Sequence, residues 1–119
     1  MTRDCRVYLE DILEAINHAE QFINAMPYED FIKDTKTVFA VTRAVEIIGE
    51  AAKNVPHFIR ERDDQIPWRL MAGMRDKLAH EYFGINLRML WDTVKTDLPA
   101  LRLKIRKLLD ELATEDRQK

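Results

Sequence analysis

Apolar residues along this chain recur at alternating spacings of three and four, and no other feature narrows its fold as much. Val38, Val41, Val45, Ile48, Ala52 and Val55 keep that spacing from end to end, the pattern of one helix packed along another. Tyr8, Ile12, Ile16, Ala19, Ile23 and Met26 form a second stripe at spacings of three and four, and Leu87, Leu90, Trp91, Val94, Leu98, Leu101, Ile105, Leu108 and Leu112 a third of the same helical kind. A strand would alternate with period two, so these stripes predict helices. With three Gly and four Pro in 119 residues, 46% of them hydrophobic and 34% charged, the composition argues against disorder and an all-β fold. The expectation is an all-α, antiparallel helical bundle of four to five helices. One domain spans residues 1–119, long enough to bury a core without disulfides or metal, with a polar tail fraying from about residue 114. No internal repeat or low-complexity segment interrupts it.

The punctuation residues divide the chain. Asp4 is a candidate N-cap for a first helix reaching about Met26, where Pro27 ends it. Tyr28 to Lys33 reads as a turn or short helix, and Asp34 or Thr35 caps a second helix running to about Val55. Pro56 starts a short helix through Ile59 and Arg60, and Glu61 to Gln65 forms an exposed polar loop. Pro67 opens the next helix, with Trp68, Met71, Met74, Leu78 and Tyr82 on its apolar side. Gly84 is a natural C-terminal cap. Asn86 then caps a long last helix, which Pro99 kinks rather than ends because the stripe continues on both sides.

Charge and cysteine usage exclude several classes of function. The single Cys5 cannot form an internal disulfide and offers no metal framework, which fits a reducing compartment. Met1 to Glu10 carries four charges and no signal-peptide core, and no run of 18 apolar residues occurs, so a cytoplasmic protein is expected. The net charge is −2, with three basic and eight acidic residues in 1–34 and sixteen basic and thirteen acidic in 35–119. That balance lacks the basic footprint of a general nucleic-acid binder, so any RNA recognition has to be local.

The most reactive stretch is Arg75-Asp76-Lys77-Leu78-Ala79-His80-Glu81-Tyr82. On a helix Tyr82 returns to nearly the face of Arg75, and Asp76 and His80 are neighbours four apart. Asp76 and the negative end of the helix dipole both favour protonated His80, whose ordinary pKa of about 6.5 suits proton transfer at neutral pH. Arg75 supplies a permanent cation for a phosphate and for a phosphorane-like transition state, and Tyr82 can donate a hydrogen bond to the same group. The set resembles a metal-independent ribonuclease site, in which a base takes the ribose 2′-OH proton and an acid protonates the departing 5′-oxygen. Two proton-transfer groups are needed, and His18 and His57 lie far away in sequence. An isologous dimer pairing two Arg75–Tyr82 segments would supply two His80 and two Arg75 side chains.

Other polar groups have simpler readings. Glu46 and Glu50 can form a carboxylate pair or brace Arg75, but a solvated helix face explains them better. Trp68 and Trp91 fall on apolar stripes and read as core or interface anchors rather than base-stacking platforms. Arg102, Lys104, Arg106 and Lys107 can touch RNA phosphates or form an ordinary basic face. No glycine-rich phosphate loop or Cys/His metal spacing occurs, and no cofactor is expected.

Arg75 to Tyr82 fits the R-x4-H-x-Y motif of the HEPN-domain toxins, specifically the HepT-like group. Arg43 to Ala52, Ile66-Pro67-Trp68, Gly73-Met74-Arg75, Leu90-Trp91 and Leu98-Pro99 also look like that group, so the resemblance covers about residues 4 to 110. It implies a homodimeric bundle whose two motifs face each other and an endoribonuclease toxin of a type VII toxin–antitoxin system, acting without metal. Arg75 and His80 are then the catalytic pair, and Asp76, which is Asn in many relatives, helps order the site. Tyr82 matches the tyrosine that a cognate minimal nucleotidyltransferase antitoxin adenylylates in some relatives, adding bulk and negative charge that repel RNA. The implied partners are RNA and that nucleotidyltransferase, with the homodimer able to enter a larger hetero-oligomer. The alternative is a non-catalytic helical adaptor that binds a nucleotidyltransferase or nucleotide.

Overall fold

The computed structural model describes residues 5–80 and 86–118, and the side chains of residues 75–80 lie outside that description. Among the described residues the chain is helical, with no strand. The elements are α1 (Arg6–Phe22), α2 (Tyr28–Phe31), α3 (Thr35–Asn54), α4 (His57–Arg60), α5 (Trp68–His80), α6 (Leu87–Asp92), a π-helical segment (Thr93–Asp97) and α7 (Leu98–Arg117). The expected all-α bundle is what forms.

Helix α3 is its centre. Asp34 caps it, accepting hydrogen bonds from the Thr37 backbone N–H at 3.0 Å and from the Thr37 hydroxyl at 2.8 Å. These satisfy one of the donors a helix start leaves orphaned. Every residue of its expected stripe is buried, and Ala44, Gly49 and Ala51 are buried too. At 100° per residue the covered arc is roughly 160° wide, because α3 has a neighbour on each flank. Val45, Gly49 and Ala52 share the flank toward α5, and Ala44 and Ala51 the flank toward α1. Small side chains on both flanks let the neighbouring helices approach closely. The far end of α3 is closed from outside. Arg60 of α4 donates through Nε to the Val55 carbonyl at 3.0 Å and through Nη2 to the Ala52 carbonyl at 2.6 Å, placing a cation where the helix dipole favours one.

Helix α1 packs on α3, and α7 packs on α1. Arg6 pairs with Asp116 at 2.8 Å, while Arg102 pairs with Glu20 and donates to the Asn17 side chain at 3.1 Å. The start of α1 thus meets the end of α7, which makes the two antiparallel. Helix α1 stops at Phe22 rather than near Met26. Ala25 takes the left-handed conformation with φ 61°, which breaks the helix, and Pro27 disfavours its resumption at Met26. The expected Asp4 cap and Gly84 cap lie outside the described residues.

Pro67 precedes α5, whose first turn closes by the Met71 N–H to the Pro67 carbonyl at 3.0 Å. Trp68 is buried as an anchor, its indole N–H donating to the Asp63 carbonyl at 3.1 Å. The loop before it turns on the Asp63 carboxylate, which accepts the Gln65 N–H at 3.0 Å. It is held to α7 by Arg62, which grips Glu115 and is made a still weaker acid by that contact.

The last helix is continuous from Leu87 to Arg117, as the unbroken stripe implies, but its distortion precedes Pro99 rather than sitting at it. Two causes converge. Pro99 has no N–H to offer the Lys95 carbonyl, and Leu90, Val94 and Leu98 are spaced four and four. An α-helix would rotate each by a further 40°, out of the core. The wider π turn keeps all three buried.

Candidate active site

The R-x4-H segment stands on α5, the helix packed against the central α3. Its backbone places Arg75 and His80 five residues apart, about 7.5 Å along the axis and about 140° around it. Position 75 shares the helical register of Trp68 and Met71. Positions 76, 77 and 80 continue the exposed line of Arg69, Leu70 and Gly73. By helix position alone, 76 and 80 stand four apart along one side of α5, and 75 falls on another. The side chains of Arg75, Asp76 and His80, and the whole of Tyr82, lie outside the described residues.

The remaining histidines are placed far from that end of α5. His57 pairs with Glu61 at 2.7 Å and lines a surface groove with Trp68 and Arg69, at the start of α5. From there to His80 is about 18 Å of helix. His18 stacks on Phe22 of α1, and α1 lies across α3 from α5. Neither imidazole is positioned to act beside His80 within one protomer.

Glu46 and Glu50 share the Arg43 guanidinium of their own helix, at 3.5 and 3.4 Å. Their spacing thus serves a half-exposed ion-pair network on α3. Among the described residues no group of three His, Cys, Asp or Glu side chains is arranged to hold a metal ion.

The basic run on α7 does not form the single face its sequence suggests. Arg102 turns to α1, Lys104 donates to the Gln65 carbonyl at 3.3 Å, and Arg106 and Lys107 point outward beside Leu103. Four residues within six positions of a helix spread over more than half its circumference.

What the sequence reading missed is a groove of about 370 Å³ between α5, α3 and the α6–π turn. It is lined chiefly by Val45, Leu70, Gly73, Met74, Met89 and Leu90, with Arg69, Thr93 and Asp97 at its rim. Leu70 is 74% exposed, and Gly73 leaves open space where a side chain would stand. The signal was present: Leu70 falls off the stripe of Trp68, Met71 and Met74, on the otherwise polar side of α5.

Taken together, these features define a small all-α bundle with an Arg/His motif at the end of a helix packed on its central one. Residues 12–108 match the family profile described as "Ribonuclease HepT-like", and the chain belongs to this HepT-like ribonuclease family. A Thermococcus cleftensis protein named "Probable ribonuclease HepT" is 55% identical over 108 residues, 91% of this chain and 98% of its own length. Two further relatives carry names that provisionally assign them as RNases. The one from Caldanaerobacter subterraneus is 42% identical over 106 residues, covering 89% of this chain and 95% of its own. The one from Methanocaldococcus jannaschii is 40% identical over 114 residues, covering 96% and 94%. No solved structure gives a significant match. Among the described residues no helix is long and apolar enough to cross a membrane.

Proposed function

We propose that this chain is a metal-independent endoribonuclease, the toxin of a type VII toxin–antitoxin pair, acting as a homodimer. The observation that carries the reading is the R-x4-H-x-Y motif, Arg75 to Tyr82, whose Arg75 and His80 stand on α5 in a chain of the HepT-like family. In this mechanism one His80 removes the 2′-OH proton and the 2′-oxygen attacks phosphorus. The bond from phosphorus to the 5′-oxygen breaks, and the second His80, protonated, gives its proton to the leaving oxygen. A 2′,3′-cyclic phosphate and a 5′-hydroxyl result. Arg75 neutralises the charge gathering on the phosphorane oxygens, and Asp76 orients and charges the imidazole.

The remoteness of His18 and His57 supports a second copy as the source of the second imidazole. So does the apolar groove, which lies on the side of α5 that continues to position 80. Its exposed Leu70 and open Gly73 suit the close approach of another helix. A cognate nucleotidyltransferase antitoxin would add AMP to Tyr82, and the added phosphate would repel RNA from the cleft.

The test incubates purified protein with single-stranded RNA in EDTA. Cleavage that survives chelation and disappears in His80→Ala is expected; no cleavage by the unsubstituted protein would leave the adaptor role in its place. Co-expression with the nucleotidyltransferase should add whole AMP masses to the intact protein, and none to Tyr82→Phe.

A further inference from the structure

Beside the end of α5, the α6–π turn carries two cations seated on aromatic rings. The Arg88 guanidinium lies 4.9 Å over the Tyr28 ring and the Lys95 ammonium 5.1 Å over the Trp91 ring. Tyr28 meets Trp91 edge-on, with centroids 5.6 Å apart, and Trp91 rests on buried Phe31 at 5.2 Å. Both rings are half-buried, both cations exposed. Arg88 and Lys95 stand seven residues apart, about 10 Å along the helix, each on one of two rings that touch.

Other cations are spent inside the molecule: Arg6 on Asp116, Arg60 on carbonyls, Arg62 on Glu115 and Arg102 on Glu20. Among the described residues no carboxylate pairs with Lys95. Arg88 is shared with Asp92 at 3.3 Å, an exposed pair that a phosphate can displace. The rings have already restricted the two flexible stems, so gripping an anion costs them less further order.

The chain limits how far this strip can lie from the motif. Asn86, which opens α6 with its side chain on the Met89 N–H, follows His80 by six residues. Its Cα is therefore within about 20 Å of that of His80.

The geometry points to a track for the backbone of single-stranded RNA: Arg88 and Lys95, held over Tyr28 and Trp91, bind two phosphates of the strand that is cleaved at His80. This rests on the ribonuclease reading. A single strand is required because attack by the 2′-oxygen in line with the leaving group needs a nucleotide free to leave A-form geometry.

The experiment measures binding of a labelled single-stranded RNA across a salt series, with His80→Ala preventing cleavage. Adding Arg88→Ala and Lys95→Ala together should weaken binding tenfold or more. It should also flatten the dependence of log K on log salt by about 1.4, some 0.7 for each phosphate lost. Lys95→Arg should retain affinity, as should Arg106→Ala with Lys107→Ala on the outer side of α7. With His80 intact, the strip variants should raise KM and keep kcat. Unchanged affinity and slope in a double variant that melts like its parent would overturn the track while leaving the ribonuclease reading standing. Absence of RNA binding by every form would overturn both. Loss of cleavage in the unsubstituted protein with binding still sensitive to the strip would overturn only the ribonuclease reading.

Discussion

Asp34 is held as a carboxylate by its position. The Thr37 backbone N–H, then the Thr37 hydroxyl, lower its pKa from the usual 3.8 because both donate to the charged form. A group whose folded pKa is depressed contributes stability that is fully present above its unfolded value and is lost as pH falls through the folded one. In urea titrations at neutral pH, Asp34→Ala should therefore unfold earlier than the parent, and the gap should narrow below about pH 3.8. That cap was readable in Asp34-Thr35-Lys36-Thr37, since its chemistry is local. Arg60 was not, because its value to α3 depends on two carbonyls, Val55 and Ala52, brought to it by the turn at Pro56. Leu70 stood between these cases: it was visibly off its stripe, but only the groove gives that displacement a meaning.

At the scale of elements, periodicity located the helices and steric rules set their ends. The stripe of α1 runs on through Ile23 and Met26, yet the helix stops at Phe22, because the left-handed turn at Ala25 breaks it ahead of Pro27. The left-handed Ala25 in that link is a strained residue that glycine would relieve. Relief of about 1–2 kcal/mol of Cβ strain, set against the greater freedom of an unfolded glycine, predicts a net gain of about 0.5–1 kcal/mol for Ala25→Gly. Chemical denaturation would measure it, and Ala25→Val should move the midpoint the other way. The π turn was also encoded, in the spacing of Leu90, Val94 and Leu98. Pro99 alone suggested a kink, and the two successive fours carried the rest.

Across the whole molecule, the order α5, α3, α1, α7 gathers distant segments at two ends. One end collects the close of α5, Tyr28 and the start of α6. The other collects α4, Trp68, Arg62 with Glu115, and Arg6 with Asp116. The helices and the motif were legible in the chain, but the grouping of Tyr28 with Arg88 and Trp91 required the topology, because those residues lie far apart in sequence. The dimer belongs to this scale as well. Leu70 projects from a folded protomer, so Leu70→Glu should leave helical content unchanged. It should also convert a dimer to a monomer by light scattering and abolish cleavage. A dimer that persists with full activity would place the interface elsewhere.

The Arg6 to Asp116 pair has a practical consequence. It brings the first and last helices together within a hydrogen bond's reach, about the length of α5 away from the end that carries His80. Affinity tags, fluorophores or a second protein fused at either terminus should project away from the catalytic end. A circular permutant joined by a short linker at residues 5 and 118 should keep the bundle closed, since the join spans a gap the native fold has already brought together.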